Sequence, residues 1–222
     1  MNKNLTETNT SEILKRLFPD DVSGVILPID DYQTHLHPDE YRIISSASDK
    51  RKFEFSTGRW CSKQALASQG MYDTMILTGE NREPIWPEGF IGSISHCRDQ
   101  CGAIAAKNSN IKSLGFDIEN IKTLRNDIGR IVCTNEEKNW ISNQKQYPYN
   151  VLVILIFSLK ESVYKCVYQH QQTKLGFKDI RITPNLETNT AEIIIDKPQV
   201  DLDIKLRFVI TRNHIHSAAT YL

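Results

Sequence analysis

Long apolar runs and an excess of charge of either sign are both missing from this sequence. Lys and Arg together number 27 and Asp and Glu number 27, so no net field draws the chain onto nucleic acid. The longest aliphatic run, VLVILIF at 151–157, is too short to span a bilayer, and the N-terminus lacks the apolar core of a signal peptide. We therefore expect a cytoplasmic protein with no membrane span and no nucleic-acid partner.

Cysteine is scarce and shows no paired spacing. The five cysteines contain no CxxC, which argues against a disulfide framework and against a structural zinc site. His96, Cys97 and Cys101 lie near one another in sequence, but three such residues without a second cluster make a poor zinc site. We interpret the thiols as buried or idle.

What is present is a mixture of long helices and short strands. Residues 48–70 begin with cap-type residues and end at a glycine, which predicts a long helix; a second one is predicted from Asn150 as its cap. Thr134 and Glu137 form a capping-box pattern between them. Short apolar runs predict strands at 22–29, 92–96, 101–107, 113–119, 178–183, 191–196, 204–210 and 215–222. The pattern indicates an α/β chain in two halves, joined near residues 108–112.

The predicted strand GFDIE carries the first candidate site. Asp117 and Glu119 are two residues apart, so their side chains project from the same face of the strand. A solvated strand face would explain a lone DxE pattern. Here the apolar Leu114, Phe116 and Ile118 lead up to the pair, as where a strand leaves a core. Paired oxygen ligands of this kind suit Mg²⁺.

The second long helix carries FSLKESVYK. Ser158, Glu161 and Lys165 are three and four residues apart and are expected to share one helix face. A Glu–Lys pair at this spacing is often only a surface salt bridge. Because it follows a strongly apolar run, Glu161 could instead join the two carboxylates around one metal, leaving Lys165 and Lys160 to hold phosphate oxygens.

Further groups suited to an anionic ligand lie in the first half of the chain. Arg59 follows Gly58 in the first long helix, and Arg82 precedes the stiff PIWP segment; both supply planar donors for a phosphate monoester, although either alone could be a surface residue. In GSISH, Ser95 and His96 offer a hydroxyl and an imidazole beside small residues. Adjacent strand residues point apart, so no Ser-His-Asp triad is implied.

Four ordered blocks, FSTGRWCSKQAL, REPIWPEGFIGSISHC, LGFDIE and FSLKESVYK, resemble the 4'-phosphopantetheinyl transferases of the surfactin and enterobactin type. The resemblance covers roughly residues 50–170 and implies a pseudo-twofold pair of similar lobes, 1–110 and 111–222, each a long helix on a small, mainly antiparallel sheet. It implies a holo-[acyl-carrier-protein] synthase type activity: the phosphopantetheine arm of coenzyme A moves to a serine of an apo carrier protein, and adenosine 3',5'-bisphosphate leaves.

The resemblance also implies roles for residues in the cleft between the lobes. The metal ligands would be Asp117, Glu119 and Glu161, holding Mg²⁺, with Mn²⁺ as a substitute; Asp117, Glu161 and Lys165 would be catalytic, with Glu161 deprotonating the serine directly or through water. Coenzyme A would be bound by Arg59, Arg82, Ser95, His96, Ser158, Lys160 and Lys165.

Two other functions remain open from the sequence. A coenzyme A or carrier-binding module without turnover would need the phosphate-binding residues but not all three carboxylates. A metal-dependent phosphodiesterase would use water as acceptor and release phosphopantetheine from a loaded carrier. The resemblance favours the transferase, acting as a monomer on peptidyl, aryl or acyl carrier proteins or carrier domains of nonribosomal peptide or polyketide synthases. The pathway would make a siderophore such as enterobactin or another secondary metabolite.

Overall fold

A computed structural model describes residues 9–109, 111–122 and 128–222, which form two large sheets, each packed against one long helix, and a short two-stranded hairpin. The helices are α1 (Thr10–Leu17), α2 (Pro38–Ile44), α3 (Asp49–Ser68), α4 (Ile128–Val132), α5 (Asn135–Asn143) and α6 (Tyr149–Gln171). The strands are β1 (Ser23–Pro28), β2 (Leu77–Thr78), β3 (Pro84–Ile85), β4 (Phe90–His96), β5 (Gln100–Lys107), β6 (Ser113–Asn120), β7 (Ile180–Asn185), β8 (Thr190–Ile195), β9 (Ile204–Ile210) and β10 (His214–Tyr221). Across these ranges no helix is both long and apolar enough to cross a membrane.

The two large sheets share a strand order. The first runs β1-β5-β4 and the second begins β6-β10-β9 and continues β8-β7, with every pair antiparallel. In both, the strand that precedes the long helix pairs with the last strand of its half. The mixed α/β class with mainly antiparallel sheets is confirmed. Each long helix has strands of its own sheet both before and after it in sequence, and the predicted strands at 22–29 and 113–119 correspond to the ones that come before.

The N-caps of α3 and α5 agree with the sequence prediction, and the N-cap of α6 does not. Ser48 caps α3 by accepting a bond from the Arg51 amide, and the Thr134–Glu137 capping box is present at α5. The prediction of Asn150 as the cap of α6 is wrong. Pro148 occupies that position without a side-chain cap, and the helix begins at Tyr149, two residues earlier than predicted, because the fixed φ of proline suits the start of a helix. The apolar start of α6 is buried in the second lobe.

Serine hydroxyls join the two lobes where β4 runs beside β6. Ser93 Oγ accepts from the Phe116 amide at 3.1 Å, and Ser95 Oγ accepts from the Ile118 amide at 3.2 Å. Both serines face β6 because they are two residues apart on a strand. Backbone amides of β6 that could not pair with β4 directly are thus satisfied through side chains.

Gly115 allows α6 to lie directly on β6. A Cβ atom at this position would be 1.8 Å from the Ser162 carbonyl oxygen. No side chain fits there, so the helix backbone contacts the strand just before Asp117. At Gly58 in α3 the close neighbours are side chains of the first sheet: a Cβ there would lie 3.1 Å from Ile94 and 3.4 Å from Cys101, so this glycine lets α3 pack closely on the sheet.

We expect Gly115→Ala to lower the free energy of unfolding by about 1–3 kcal/mol or more, because the added methyl must push α6 away from β6. Urea unfolding measures the loss. Gly176→Ala is the control, since its new Cβ would have no neighbour closer than 3.4 Å. Equal stability of the two variants would contradict the packing argument.

Candidate active site

Strand β6 and helix α6 bring an aspartate and a lysine into direct contact. Lys165 Nζ lies 2.7 Å from Asp117 Oδ1 and also donates to the Phe116 carbonyl oxygen at 2.9 Å. Ser95 Oγ donates to the same Asp117 Oδ1 at 2.8 Å. Three segments far apart in sequence, β4, β6 and α6, therefore fix the orientation of one carboxylate.

The second oxygen of that carboxylate has no hydrogen-bond partner among the residues that the structure describes. Asp117 is only 3% exposed, and its Oδ2 atom is buried. A buried charged acceptor left unpaired is costly, so such an atom calls for a physical reason. A cation or donor that binds at Oδ2 would supply the missing partner.

Glu119 and Glu161 add negative charge around the same point. The pKa of Glu119 is raised to about 8, chiefly by burial and also by the charges of Asp117 and Glu161, with Lys165 opposing them. Burial also raises the pKa of Glu161 above its ordinary value, with Lys165 lowering it and Asp117 raising it. Three carboxylates thus share one ammonium group, and the cluster is short of positive charge.

This donor set fits Mg²⁺. It contains only oxygen ligands, it includes an unpaired buried oxygen, and its excess negative charge matches a divalent cation. The Lys165–Asp117 ion pair is not a surface salt bridge, because Asp117 is buried and also accepts a hydrogen bond from Ser95.

A cavity of about 480 Å³ opens beside the cluster. Its lining runs from the β2–β3 hairpin, with Arg82, across Trp86 and β4 to Lys165 on α6. Tyr164 and Tyr168 stack on each other at the α6 side, with ring centres 5.8 Å apart. The cavity therefore offers aromatic and apolar walls with cations along its rim, a combination that suits a nucleotide-like ligand.

Two family models divide the chain between them. A 4'-phosphopantetheinyl transferase N-terminal domain matches residues 39–106, and the 4'-phosphopantetheinyl transferase superfamily matches residues 113–216. The relatives include the 4'-phosphopantetheinyl transferase Svp of Streptomyces mobaraensis, 32% identical over 77% of this chain and 71% of its own. Enterobactin synthase component D of Escherichia coli K12 is 32% identical over 77% of this chain and 81% of its own.

The chain belongs to the 4'-phosphopantetheinyl transferases. The family that the sequence resembles is thereby confirmed, and with it an enzyme of the holo-[acyl-carrier-protein] synthase type. Members of this family use coenzyme A as substrate and transfer phosphopantetheine to carrier proteins.

Two residues expected to bind coenzyme A lie elsewhere in this transferase. Ser158 is fully buried and its Oγ bonds to Ser217 on β10 at 2.8 Å, so it joins the helix to the sheet. Lys160 is also fully buried, and its Nζ lies 2.7 Å from Glu137 Oε2. One step along a helix turns the side chain by about 100°, which carries Lys160 away from its neighbour Glu161 and into the second-lobe core. Neither is available to a phosphate.

The two arginines are associated with the same β2–β3 hairpin: Arg59 on α3 contacts it, and Arg82 lies in its turn. Arg59 is 6% exposed; it donates to Thr78 Oγ1 on β2 at 3.1 Å and lies over the Phe55 ring. Its Nε has no hydrogen-bond partner in the described ranges. Burial lowers its pKa to about 10. Arg82 is exposed in the hairpin turn, at a positive φ of 69°, and lines the cavity. Arg59 supports the hairpin that presents Arg82.

Ser95 and His96 point apart, as expected of adjacent strand residues. Ser95 is 6% exposed and holds Asp117, whereas His96 is exposed at the end of β4. The cavity residues Trp86, Tyr164, Tyr168 and Gln169 were missed by the sequence reasoning. The spacing of Lys165 from Tyr168 and Gln169, three and four residues along α6, was the signal that could have indicated a shared face.

The raised pKa of Glu119 predicts the pH dependence of stability without metal. Because the folded chain holds this proton up to about pH 8 while an unfolded glutamate loses it near 4.5, the contribution present below pH 4.5 is lost as the pH rises through 8. The melting temperature in chelator should therefore fall over this range. Glu119→Gln should remove that part of the fall, and saturating Mg²⁺ should reduce it in the unmodified protein. Identical pH profiles for both proteins would contradict the assignment.

Proposed function

We propose that this transferase moves the 4'-phosphopantetheine arm of coenzyme A to a serine of an apo carrier protein in a Mg²⁺-dependent reaction that releases adenosine 3',5'-bisphosphate. The observation that carries the proposal is the unpaired, buried Oδ2 atom of Asp117, beside Glu119 and Glu161 and next to a cavity edged by Lys165. A module that only binds its ligand would have no need for this concentration of carboxylates.

Asp117, through Oδ2, would hold the metal together with Glu119 and Glu161. When bound, Mg²⁺ supplies charge neutralisation to the pyrophosphate oxygens, and Mn²⁺ could take its place. The chain prepares this site in advance: Ser95 and Lys165 occupy Oδ1 of Asp117, which leaves Oδ2 as the free ligand atom.

The protein residues divide the remaining chemistry. The serine oxygen of the carrier forms a bond to the β-phosphorus of coenzyme A while the bond from that phosphorus to the bridging oxygen breaks. The serine proton passes to Glu161, directly or through water, and the raised pKa of Glu161 suits a base that must keep a proton once taken. Lys165 lies where its ammonium can offset the charge that develops on the leaving bisphosphate.

Coenzyme A would occupy the cavity between the β2–β3 hairpin and α6. Arg82 would contact the 3'-phosphate, Arg59 would hold the hairpin in place and add positive charge behind it, and His96 would reach a phosphate oxygen. Ser95 would act through Asp117 more than through the nucleotide, since its hydroxyl is already committed. Both lobes come from one chain, divided near residue 110, and we propose a monomer.

The carrier partners would be peptidyl or aryl carrier domains of nonribosomal synthesis. The support is the 32% identity to enterobactin synthase component D of Escherichia coli, a protein named for enterobactin synthesis. A siderophore or similar secondary metabolite would be the product of the pathway that this transferase serves.

Glu161→Gln should abolish transfer, with a fall in rate of at least about 100-fold, because it removes a metal charge and the base at nearly constant volume. The measurement is the intact mass of an apo peptidyl carrier protein after incubation with coenzyme A and Mg²⁺. The exposed Glu187→Gln is the matched control and should load the carrier at the normal rate. Full activity of Glu161→Gln would contradict the proposed site, and no loading by the unmodified protein would favour a module that only binds coenzyme A.

Arg82→Ala should weaken binding of coenzyme A about tenfold or more and leave binding of dephospho-coenzyme A nearly unchanged, because only the former carries the 3'-phosphate. Isothermal titration with both ligands measures the discrimination. Arg212→Ala, at another exposed arginine, should discriminate as the unmodified protein does. An equal loss of affinity for the two ligands would place Arg82 elsewhere on coenzyme A.

A further inference from the structure

A second cluster of ligand-type side chains lies at the junction of the lobes. Asp99 Oδ1 lies 2.9 Å from His214 Nε2 and 3.4 Å from Cys97 Sγ. The three candidate ligand atoms, one from each residue, all lie within 4.8 Å of one another. Thiol, imidazole and carboxylate groups at this separation can reach a single ion without moving the backbone far.

The fold brings these residues together from opposite ends of the chain. Cys97 and Asp99 lie in the turn between β4 and β5 of the first sheet, and His214 is the first residue of β10 in the second. In the antiparallel register His214 stands opposite Asn120, whose side-chain amide donates to Asp99 Oδ1 at 3.1 Å. Asn120 and Glu119 are adjacent on β6 and point to opposite faces, so this cluster is separate from the acidic site.

A buried histidine beside the cluster lacks hydrogen bonds on its ring. His216 is 1% exposed, and within the described parts of the chain neither of its ring nitrogens has a hydrogen-bond partner. It shares a strand face with His214, and the two ring centres are 5.9 Å apart. A buried imidazole that lacks both hydrogen bonds is costly, and two histidines at alternate positions of one strand offer a pair of nitrogen ligands.

We propose that Cys97, Asp99 and His214 form a binding site for a transition-metal ion of the Zn²⁺ type. His216, beside His214, could supply a fourth ligand. Sulfur and nitrogen ligands select Zn²⁺ over Mg²⁺, whereas the all-oxygen set at Asp117 selects the reverse. Binding releases the thiol proton of Cys97 to solvent and replaces the contacts of Asp99 with Cys97 and His214 by bonds to the metal. Asn120 stays on Asp99 and orients it.

The ion would fasten the first lobe to the second. It would tie the β4–β5 turn to β10, on the far side of the sheet from the acidic site and one residue along β6 from Glu119. Any ligand that binds only the folded chain raises its stability, so bound Zn²⁺ should raise the melting temperature. This inference does not rest on the transfer reaction.

Full-length protein stripped with chelator and titrated with Zn²⁺ alone tests the site. We expect one equivalent of zinc to stay with the protein through gel filtration, measured by elemental analysis, and a higher melting temperature. Co²⁺ in its place should give the near-ultraviolet absorption of a cobalt–thiolate bond. Cys97→Ser should weaken zinc binding at least about tenfold and remove that absorption.

Two control variants show whether the zinc is bound at this cluster. Cys133→Ser, at a buried cysteine outside the cluster, should keep both zinc and the cobalt signal. Asp117→Asn should keep them as well, because it alters only the acidic site. No retained zinc in the unmodified protein, undiminished binding by Cys97→Ser, or loss of zinc in Asp117→Asn would each overturn the proposal, whether or not the protein loads a carrier.

Discussion

The direct contact between α6 and β6 is the constraint on which the active site depends. Because Gly115 has no side chain, the helix backbone lies against the strand at Ser162. This closeness places Lys165 within 2.7 Å of Asp117. A strand with any larger residue at position 115 would hold the helix away and separate the lysine from its carboxylate.

The charges of the site follow from that geometry. Asp117 is held on one oxygen by Lys165 and Ser95 and left open on the other. Its neighbour Glu119 cannot easily ionise without added positive charge, which is what a pKa near 8 expresses. A site that lacks positive charge in this way favours binding of a divalent cation, and that cation would in turn neutralise the charge of bound phosphates.

Periodicity alone predicted much of this arrangement. The two-residue strand repeat placed Asp117 and Glu119 on one face, and the spacing of four placed Glu161 with Lys165; the structure brings all four into mutual electrostatic contact. The same reasoning failed for Lys160, since sequence does not show that α6 is covered on more than one side.

Side chains that come together only through sheet pairing could not be predicted from the sequence. Spacing along the chain argued against zinc because His96 and Cys101 were the visible neighbours of Cys97. The structure instead gives Cys97 two other neighbours, Asp99 and the distant His214, through the join between the lobes. The pairing of strands that are distant in sequence determines these contacts, and no local sequence pattern predicts that pairing.

The most direct test of the proposed active site is a crystal structure with coenzyme A and Mn²⁺, in which the anomalous signal locates the metal. We predict a metal bonded to Asp117 Oδ2 and to the carboxylates of Glu119 and Glu161, with Lys165 still on Oδ1 and the coenzyme A pyrophosphate alongside. A metal bound elsewhere in the cleft, or coenzyme A bound with Asp117 Oδ2 still free, would contradict it.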